Sequence, residues 1–567
     1  MTILGIDLGT TNSACAIWKD GESVLIPNRL GSYLTPSVVG VDEGGEILVG
    51  EIARHRLISH PAMTTSVFKR YMGSDHQIRV GKKTFTAPEL SSLVLRSLKE
   101  DAEAFTGESI SHAVISVPAY FNDIQRKATK LAGELTGLQV DRLINEPTAA
   151  AMMYGLHSRN DGAQFMILDL GGGTFDVSIV EYFDGILEVH ASSGDNHLGG
   201  EDFLNMLAEH YFNFIGVNPN TLKKTELQHI YDGLEAAKRK LSFEREIEIN
   251  GLTKSQQQPW LINRQDFERM MQPLLHRIQT PVERTLRDAG IHPDNIGEVV
   301  LVGGATRMHA FRSLVTKMFR RMPSGNIDPD LVVAMGAGIQ AGLKQKDSDL
   351  DDIVLTDVCP YSLGTEIINE NDPSGKQGGL FMPIIERNSI VPVSIERSLY
   401  TVSDNQTRVL INVFQGESRL VKHNVYLGEL EVKVPKAKAG KESIDVRYSY
   451  DMNGLLEVDV TVPSTGKKYQ KTIINSPGSL SESDIEKSKN KLASLKFHPR
   501  AQEENRSLIA RAERLFESSL GERREELSQL LSSFDQVLER QNPAEIKRAA
   551  KQMSEILAEL ESENLFS

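Results

Sequence analysis

Two short glycine-rich turns with the same opening residues limit what this chain can fold into. The first turn, from Asp7 to Asn12, reads Asp-Leu-Gly-Thr-Thr-Asn, and the second, from Asp169 to Asp176, reads Asp-Leu-Gly-Gly-Gly-Thr-Phe-Asp. Apolar runs flank both turns, at residues 3–6 and 13–18 for the first and at 165–168 and 177–180 for the second. Because two strands joined by a tight turn form a hairpin, the sequence predicts two β-hairpins with related turns.

The composition of the turns suits contact with phosphate. Glycine lets backbone N–H groups approach phosphate oxygens and readily adopts the positive φ that many such turns need. Asp7 and Asp169, which begin the turns, can hold Mg²⁺ or its water ligands, since magnesium prefers oxygen donors. One such turn is more often a plain hairpin, but two with the same start indicate a duplicated fold that closes on a nucleotide.

Length, charge and cysteine content restrict the class of protein. A chain of 567 residues is long enough for several domains, about four at ~150 residues each. The net charge of −14 disfavours sequence-independent binding to nucleic acid. With Cys15 and Cys359 as the two cysteines, a disulfide framework is not expected, which fits a reducing cytosol. Neither a signal peptide nor a membrane-spanning segment is recognisable, so we expect a cytoplasmic protein without a membrane partner.

Up to about residue 344, apolar strand-like runs alternate with helical stretches, which is typical of an α/β domain. Examples are the predicted strands at 113–117 and 298–302 and the predicted helices at 123–136 and 202–214. We therefore place a nucleotide-binding domain at 1–344. The polar, acidic stretch that ends in a short apolar strand, residues 345–358, is interpreted as an interdomain linker.

The pattern beyond the linker changes twice. Residues 359–476 contain period-two strands, at 430–434, 443–450 and 456–462, with a turn at 451–454, which predicts an antiparallel β sandwich. Residues 477–567 are helical, with start signals at Ser481 and at Asn542-Pro543 and leucines at helical spacing between them. A short helical bundle is the expectation for this last part.

Four further motifs, together with the two turns, make the chain recognisable. They are Val-Pro-Ala-Tyr-Phe (117–121), Asn-Glu-Pro-Thr-Ala-Ala-Ala (145–151), Leu-Gly-Gly-Glu-Asp-Phe (198–203) and Leu-Val-Gly-Gly-Ala-Thr-Arg-Met (301–308). In this combination the chain resembles the DnaK-type seventy-kilodalton heat-shock chaperones, from residue 3 to about residue 475. Its short length and compact tail resemble the HscC branch most. The resemblance implies a multidomain protein: an actin-like duplicated α/β ATPase domain, an antiparallel β sandwich and a short helical lid.

The resemblance also implies an ATPase that binds ATP or ADP with Mg²⁺ and K⁺. Phosphoryl transfer needs positioning and charge neutralisation more than covalent chemistry. The implied catalytic residues are Lys69, Glu146, Asp169, Thr174 and Asp176, and Asp7 and Asp169 would hold the hydrated metal. The implied phosphate contacts are Thr10, Thr11, Asn12, Gly171, Gly172 and Gly173.

A second set of residues is assigned to the adenosine end of the nucleotide. Glu235, Lys238, Arg239 and Ser242 recur at helical spacing, which alone would describe an amphipathic helix with solvated charges. By resemblance, Glu235 and Lys238 bind the ribose and Ser242 contacts adenine. Arg239 stacks on the base opposite Arg307, a role that suits a planar guanidinium. Gly303 and Gly304 let the backbone approach the nucleotide.

The β domain resembles the peptide-binding domain of the family, which holds extended apolar segments by strand-like hydrogen bonds. The implied cleft residues are Ile368, Leu399, Val402, Val409, Ile411 and Leu455; without the family they would be ordinary inward-facing strand residues. An insertion at 369–376 follows the arch position Ile368, Val402 replaces the usual alanine, and Leu399 stands where an aromatic residue is common. We therefore expect an altered pocket shape.

Coupling and partners are assigned by the same resemblance. The linker residues Ile353, Val354, Leu355 and Asp357 would dock on the nucleotide domain when ATP binds, with Thr356 in place of a leucine, and Pro118 and Arg126 would relay the signal. Arg142 and Asn145 would contact a J-domain co-chaperone. The sequence leaves the use of a nucleotide exchange factor open, and we expect a monomer.

These residues together predict an ATP-dependent chaperone that binds and releases apolar segments of unfolded proteins. Variants of this prediction are a specialised chaperone with few clients and a weakly coupled peptide holdase. A small-molecule kinase and an actin-like filament protein share the duplicated nucleotide fold, but both lack a β sandwich and helical tail joined through an apolar linker.

Overall fold

The computed structural model describes most of the chain and divides it into two compact units. The described residues are 2–41, 47–157, 163–183, 186–253, 256, 258–324, 327–345, 350, 354–368, 379–452, 454–473, 508, 512, 522–540 and 542–564. The first unit runs to Tyr361 and includes Glu386–Val391. The second includes Ser362–Ile385, the strands from Pro392 onward and the C-terminal helices.

The secondary structure elements are numbered in chain order. The strands are β1 (Ile3–Asp7), β2 (Asn12–Lys19), β3 (Glu22–Leu25), β4 (Thr35–Pro36), β5 (Val39–Val41), β6 (Ile47–Val49), β7 (Thr64–Thr65), β8 (Ile78–Val80), β9 (Lys83–Phe85), β10 (His112–Val117), β11 (Gln139–Asn145), β12 (Ala163–Leu170), β13 (Phe175–Phe183), β14 (Ile186–Asp195), β15 (Glu246–Ile249), β16 (Trp260–Asn263), β17 (Glu298–Val302), β18 (Val354–Leu355), β19 (Asp357–Val358), β20 (Leu363–Ile367), β21 (Leu380–Ile385), β22 (Ile390–Val391), β23 (Val393–Tyr400), β24 (Arg408–Gln415), β25 (Val425–Lys433), β26 (Ser443–Tyr450), β27 (Leu456–Val462) and β28 (Lys467–Ile473). The α-helices are α1 (Glu51–Ser59), α2 (Ala87–Thr106), α3 (Asp123–Glu134), α4 (Glu146–His157), α5 (Gly200–Ile215), α6 (Lys224–Lys240), α7 (Arg264–Met270), α8 (Gln272–Ala289), α9 (His309–Phe319), α10 (Val332–Gln345), α11 (Glu522–Glu539) and α12 (Pro543–Asn564).

The first unit contains two sheets built on the same plan. In one sheet the order is β11-β10-β1-β2-β3, and in the other it is β17-β12-β13-β14-β18. Each begins with an antiparallel hairpin, β1 with β2 and β12 with β13, and the first strand of each hairpin has a parallel neighbour on its other side. The two predicted hairpins are therefore confirmed, and the repeated plan agrees with a duplicated α/β fold.

Close packing between a helix and the first sheet depends on glycine. A Cβ at Gly5 of β1 would clash with the backbone of Gly338 in α10, and a Cβ at Gly336 would clash with the backbone of Ala149 in α4. Leu4 and Ile6, which flank Gly5 and point to the opposite face of the sheet, are apolar and fully buried. The absence of side chains at these glycines lets α10 lie against the sheet that carries the first turn.

The end of the linker and a later segment also belong to the first unit. β18 extends the second sheet by parallel pairing with β14, with Leu355 opposite Leu187. β19 pairs with β22, which lies in Glu386–Val391. Within that segment Arg387 forms two hydrogen bonds to Asp288 of α8, of 2.7 and 2.8 Å, and these bonds lower the pKa of the Asp288 carboxyl.

The second unit contains two four-stranded antiparallel sheets and the C-terminal helices. The sheet orders are β21-β20-β24-β25 and β23-β26-β27-β28. The predicted strands at 443–450 and 456–462 match β26 and β27 in full, and the third, predicted at 430–434, is the end of the longer β25. Asn542 caps α12 as predicted, because its side-chain oxygen accepts hydrogen bonds from the N–H groups of Ala544 and Glu545.

α11 and α12 pack through Leu527, Phe534, Leu538, Ile546 and Leu557, which are all buried. The start signal at Ser481 lies outside the described residues, as do Ile353 and the insertion at 369–376. Within the described part of the chain, every helix is too short or too polar to cross a membrane.

Candidate functional site

The two glycine turns both line one cavity of about 310 Å³ in the first unit. Most of the residues that the sequence assigned to nucleotide, metal or catalysis line it. They are Asp7, Thr10, Thr11, Asn12, Lys69, Glu146, Asp169, Gly171, Gly172, Thr174, Glu235, Lys238, Arg239, Ser242, Gly303, Gly304 and Arg307. Gly173 and Asp176 are the two members of that set that do not line the cavity.

The turns approach each other so closely that two glycines are required. A Cβ at Gly172 would clash with Thr11 Oγ1, well inside the van der Waals contact distance, and a Cβ at Gly173 would lie 2.7 Å from Thr10 Cγ2. The backbone of the second turn is held from behind, since the N–H groups of Gly200 and Glu201 donate to the carbonyls of Gly171 and Gly172 at 2.9 Å. The two turns are therefore in direct contact, with little side-chain bulk between their backbones.

Lys69 and Glu146 form an ion pair inside this cleft. Lys69 Nζ lies 2.8 Å from Glu146 Oε1, and Lys69 is 3% exposed. Lys69 belongs to a 3-10 helix, Phe68–Tyr71, that follows Val67 at φ 59°. A β-branched residue at positive φ is strained, and such strain persists where the surrounding structure fixes it. The backbone conformation at Val67 begins the short helix that carries Lys69.

Four buried carboxyl groups share this single lysine. Burial, followed by the charge of Glu146, raises the pKa of Asp7 and of Asp176 to about 7. Burial and the neighbouring Glu146, Asp176 and Asp7 also raise the pKa of Asp169 well above its usual range. The carboxylates therefore outnumber the cations, and the site needs additional positive charge before all of them ionise.

These residues fit a hydrated divalent cation. Asp176 Oδ2 is buried and has no hydrogen-bond partner among the described residues. Within the same part of the chain, no three His, Cys, Asp or Glu side chains are arranged to ligate a metal directly. Oxygen donors in this arrangement suit Mg²⁺, which keeps several of its waters and completes its shell with phosphate.

Asp176 and Gly173 are located just behind the cavity wall. Asp176 is fully buried, and its Oδ1 accepts a 2.9 Å hydrogen bond from the backbone N–H of Tyr120. The Gly173 carbonyl accepts a 3.1 Å hydrogen bond from Arg70, which also forms an ion pair with Asp202 of α5. Arg70 thereby connects the segment that carries Lys69 to the second turn, a contact that the sequence analysis did not identify.

At the other end of the cavity, two guanidinium groups are held in place by carboxylates. Glu235 contacts both Lys238, at 2.6 Å, and Arg239, at 2.8 Å, as expected for residues one helical turn apart. Arg307 is held by Asp328 at 2.6 Å and Asp330 at 2.9 Å.

Several lining residues were missed by the sequence analysis. Phe243, which lines this end of the cavity, is 78% exposed. Its position directly after Ser242, which had been assigned to the nucleotide, could have indicated that it lines the cavity. Leu34, Gly200, Glu201, Val302, Ala305, Met308, Pro329, Asp330 and Val333 also line the cavity without having been predicted.

A hydrogen-bonded chain leads to the linker through Asn145, which directly precedes the cavity residue Glu146. Arg126, 8% exposed, donates to the carbonyls of Ala119 and Phe121 at 3.1 Å and to Asn145 Oδ1 at 2.6 Å. Asn145 in turn donates to Asp357 Oδ2 at 2.7 Å. Burial raises the pKa of Asp357.

Two more of the predicted coupling and partner residues adjoin this chain. Pro118 begins the segment whose carbonyls Arg126 binds, and Arg142 donates to Gln340 at 2.8 Å. Arg142 and Asn145 are both buried. The predicted coupling residues Pro118, Arg126 and Asp357 therefore lie along one connected path.

The predicted peptide-cleft residues all belong to the second unit and differ in exposure. Ile411 and Leu455 are buried, Ile368, Leu399 and Val409 are half-buried, and Val402 is 55% exposed. In the same unit, Thr365 of β20 is buried and donates a 2.9 Å hydrogen bond to the Asn412 carbonyl of β24, the strand that carries Val409 and Ile411.

Comparison with known proteins agrees with this geometry. The profile of the Hsp70 protein family matches residues 3–565. The chaperone protein DnaK of Thermotoga neapolitana is 41% identical over 500 residues, which cover 86% of this chain and 82% of the relative. The chaperone protein DnaK of Thermosipho melanesiensis is 41% identical over 499 residues, with the same two coverages. On the strength of a family match that spans nearly the whole sequence and of relatives this similar, the chain belongs to the Hsp70 family.

Proposed function

We propose that the cavity between the two glycine turns hydrolyses ATP to control the binding of apolar peptide segments by the second unit. As a member of the Hsp70 family, the protein is an ATP-dependent molecular chaperone that binds unfolded polypeptides, and it is an ATPase. The observation that supports the assignment of sites best is the convergence of both turns, Lys69 and Glu146 on one cavity, to which the linker is connected through Asp357.

At the phosphate end, each residue has a distinct role in the proposal. Thr10, Thr11 and Asn12 hold the β- and γ-phosphates from one side, and Gly171, Gly172 and Gly173 hold them from the other. Lys69 contacts the γ-phosphate and the attacking water, while Glu146 and Asp176 orient that water. Thr174 is a further phosphate contact. Because phosphoryl transfer depends on position and charge, the burial of Lys69, Glu146 and Asp176 and the ion pair between the first two suit this chemistry.

Asp7 and Asp169 are the residues that would hold Mg²⁺ through water. Ser116 donates to Asp7 Oδ1 at 2.8 Å and fixes the direction of that carboxylate. The cation supplies the positive charge that this carboxylate-rich site lacks and neutralises phosphate charge. We place K⁺ in the same region, on the basis of the surplus of carboxylates alone.

At the adenosine end, Glu235 and Lys238 bind the ribose, Ser242 contacts adenine, and Arg239 and Arg307 stack on the base. Gly303 and Gly304 give the backbone access to the nucleotide. The ion pairs of both arginines support this assignment, because a guanidinium that is held in one plane loses less entropy on stacking.

For the second unit, we propose a peptide cleft formed by Ile368, Leu399, Val402, Val409, Ile411 and Leu455. An extended segment would be bound by strand-like hydrogen bonds with low sequence selectivity. The two four-stranded sheets would form the sandwich, α11 and α12 part of the lid, and the first unit an actin-like ATPase domain. We retain the boundaries 1–344, 345–358, 359–476 and 477–567 as the proposed domains.

The linker is the proposed connection between nucleotide and peptide. Leu355 is 9% exposed and sits beside β14 through strand pairing, and the Thr356 N–H donates to the Leu187 carbonyl at 3.0 Å. Val354 pairs with Ile186 in the same way. Coupling of this kind between two sites typically amounts to ~1–3 kcal/mol.

Family members act together with J-domain proteins and nucleotide exchange factors. We propose Arg142 and Asn145 as the J-domain contact. Because both are buried beside the linker, a partner that binds there would compete with the neighbours that now cover them. Whether this chain needs an exchange factor is left open by its sequence, and we propose a cytoplasmic monomer. The similarity to the HscC branch stays a prediction.

The experiment that tests this function is the dissociation rate of a fluorescent apolar peptide from the purified protein, with and without Mg·ATP. We expect ATP to accelerate release, and Leu355→Asp to abolish the acceleration while leaving ATP binding intact. Leu261→Asp, on an exposed strand of the first unit, is the matched control. If ATP still accelerates release from Leu355→Asp as it does from the wild type, the role of the linker is wrong.

A further inference from the structure

Tyr120 is the residue whose backbone holds the Asp176 carboxylate, and three other groups hold Tyr120 itself. Its N–H donates to Asp176 Oδ1 at 2.9 Å. Its carbonyl accepts hydrogen bonds from Asn196 Nδ2 at 2.7 Å and from the Tyr361 hydroxyl at 3.0 Å. Its hydroxyl accepts a hydrogen bond from Arg284 at 3.1 Å. These contacts hold in place the residue whose N–H orients Asp176.

Tyr361 makes two different contacts with Tyr120. Besides the hydrogen bond from its hydroxyl to the backbone, its ring packs on the Tyr120 ring with centroids 4.3 Å apart and planes inclined by 36°. Aromatic pairs at this distance contribute stabilisation beyond their buried area. Burial also raises the pKa of the Tyr361 phenol, so its hydroxyl is a donor at any physiological pH. The pair therefore fixes both the side chain and the carbonyl of Tyr120.

The position of Tyr361 in the chain gives this pair its significance. Tyr361 lies four residues after Asp357, at the end of the docked linker segment, and the Cys359 thiol donates to its carbonyl at 3.1 Å. Three residues separate Tyr361 from Asp357, so the contacts of both with the first unit belong to one short segment.

We propose that Tyr361 is a positioning residue for ATP hydrolysis, acting through Tyr120 on the Asp176 carboxylate. When the linker is docked, Tyr361 restrains Tyr120 so that its N–H holds Asp176 in one orientation. This inference rests on the proposed role of Asp176 in ordering the attacking water. It adds a second route from linker to site, which meets the route through Asp357, Asn145 and Arg126 at the peptide group between Ala119 and Tyr120, because Arg126 donates to the Ala119 carbonyl.

The test is the single-turnover rate of ATP hydrolysis by the full-length protein. Tyr361→Leu removes both contacts, and we expect hydrolysis about tenfold slower with ATP affinity within twofold of the wild type. Tyr361→Phe keeps the ring contact and should recover most of the rate, with about a twofold to threefold loss. Tyr426→Leu, which removes a half-exposed tyrosine from the second unit, should leave the rate unchanged.

A double-mutant cycle separates positioning from general damage to the fold. If Tyr361 acts through Asp176, Tyr361→Leu should have no further effect in the background of Asp176→Asn, because the group that it positions is gone. Multiplicative losses in the double variant, or an unchanged rate in Tyr361→Leu alone, would overturn the inference. An unchanged rate in Asp176→Asn would instead contradict the proposed role of Asp176, so the two failures are distinguishable.

Discussion

Lys69 Nζ lies 2.8 Å from Glu146 Oε1, and both side chains are almost entirely removed from solvent at the phosphate end of the cavity. The ring of Phe121 lies beneath the ammonium group, 5.6 Å from centroid to Nζ. The lysine is therefore held by an anion on one side and by an aromatic face on the other. These two contacts fix the position of the ammonium group.

The first prediction concerns this ion pair. Lys69→Met should slow single-turnover hydrolysis at least a hundredfold, because the positive charge near the developing phosphate charge is lost. It should also destabilise the nucleotide-free protein by ~3–5 kcal/mol, since Glu146 is left buried without its partner. Single-turnover kinetics and thermal unfolding with and without Mg·ADP check the two effects.

The control for this prediction is the double variant Lys69→Met with Glu146→Gln. Removing the orphaned charge should restore most of the lost stability without restoring hydrolysis. A double variant that unfolds as easily as Lys69→Met would contradict the ion-pair explanation, and normal hydrolysis in Lys69→Met would contradict the role of the lysine.

The second prediction is a pH dependence of stability. Asp7 and Asp176 have pKa values raised to about 7 in the folded protein, whereas an unfolded aspartate titrates near ~3.9. Between these values the folded chain binds protons that the unfolded chain has released, so stability falls as pH rises through this window. The nucleotide-free protein should melt at a lower temperature at pH 8 than at pH 6.

Asp7→Asn tests the origin of that dependence. It should raise the melting temperature at pH 8 more than at pH 6, because the amide needs no deprotonation. Asp75→Asn, an exposed position of the first unit, should change neither value. An equal shift of Asp7→Asn at both pH values would rule out ionisation of Asp7 as the cause.

The third prediction concerns the planarity of Arg307. Arg307→Lys keeps the charge but cannot reproduce a guanidinium plane held by Asp328 and Asp330. We expect the affinity for ADP to fall about tenfold, equivalent to ~1.4 kcal/mol, while the affinity for Mg·pyrophosphate stays within twofold. Isothermal titration calorimetry with both ligands checks this, and an equal loss for both would show that Arg307 acts on the phosphates or on the fold.

Residues that line the cavity could be predicted from the sequence better than the contacts that hold them in place. The two turns could be recognised from local pattern, because glycine and aspartate at fixed spacing carry the chemistry themselves. The contacts of Arg70 with Gly173 and of Arg307 with Asp330 join residues over a hundred and over twenty positions apart, respectively. Such pairings depend on how elements pack, which a single sequence does not encode in any local pattern.

The assignment of residues to the two units is likewise only partly visible in the sequence. The change to β-only texture after residue 358 is visible in the sequence, but nothing in residues 386–391 distinguishes them from the strands on either side. The structure nevertheless includes them in the first unit, since Arg387 binds Asp288 and Asn388 accepts a 3.0 Å hydrogen bond from the Ser192 N–H.

The fourth prediction concerns Thr356, the residue that replaces a leucine in the linker. Its Oγ1 is buried and has no hydrogen-bond partner in the described part of the chain. An unsatisfied buried hydroxyl costs ~1–3 kcal/mol, so Thr356→Val should favour the docked linker by about that amount. Hydrogen exchange of the backbone amide at position 356 in the ATP-bound protein should slow by about fivefold or more, whereas Thr225→Val, on an exposed helical position, should not affect it. Unchanged exchange would mean that the hydroxyl finds a partner in solution.

The fifth prediction separates the proposed peptide cleft from the rest of the surface of the second unit. Val402 and Leu410 are similarly exposed, at 55% and 51%. Leu410 follows Val409 in β24 and so points to the face opposite that of Val409 and Ile411. A buried valine contributes ~1.5–3 kcal/mol of transfer free energy, so Val402→Asp should weaken the binding of an apolar peptide at least tenfold, while Leu410→Asp should not. Fluorescence anisotropy with one labelled peptide measures both variants. If Leu410→Asp weakens binding and Val402→Asp does not, the peptide lies on the outer face of β24 and the proposed cleft is wrong.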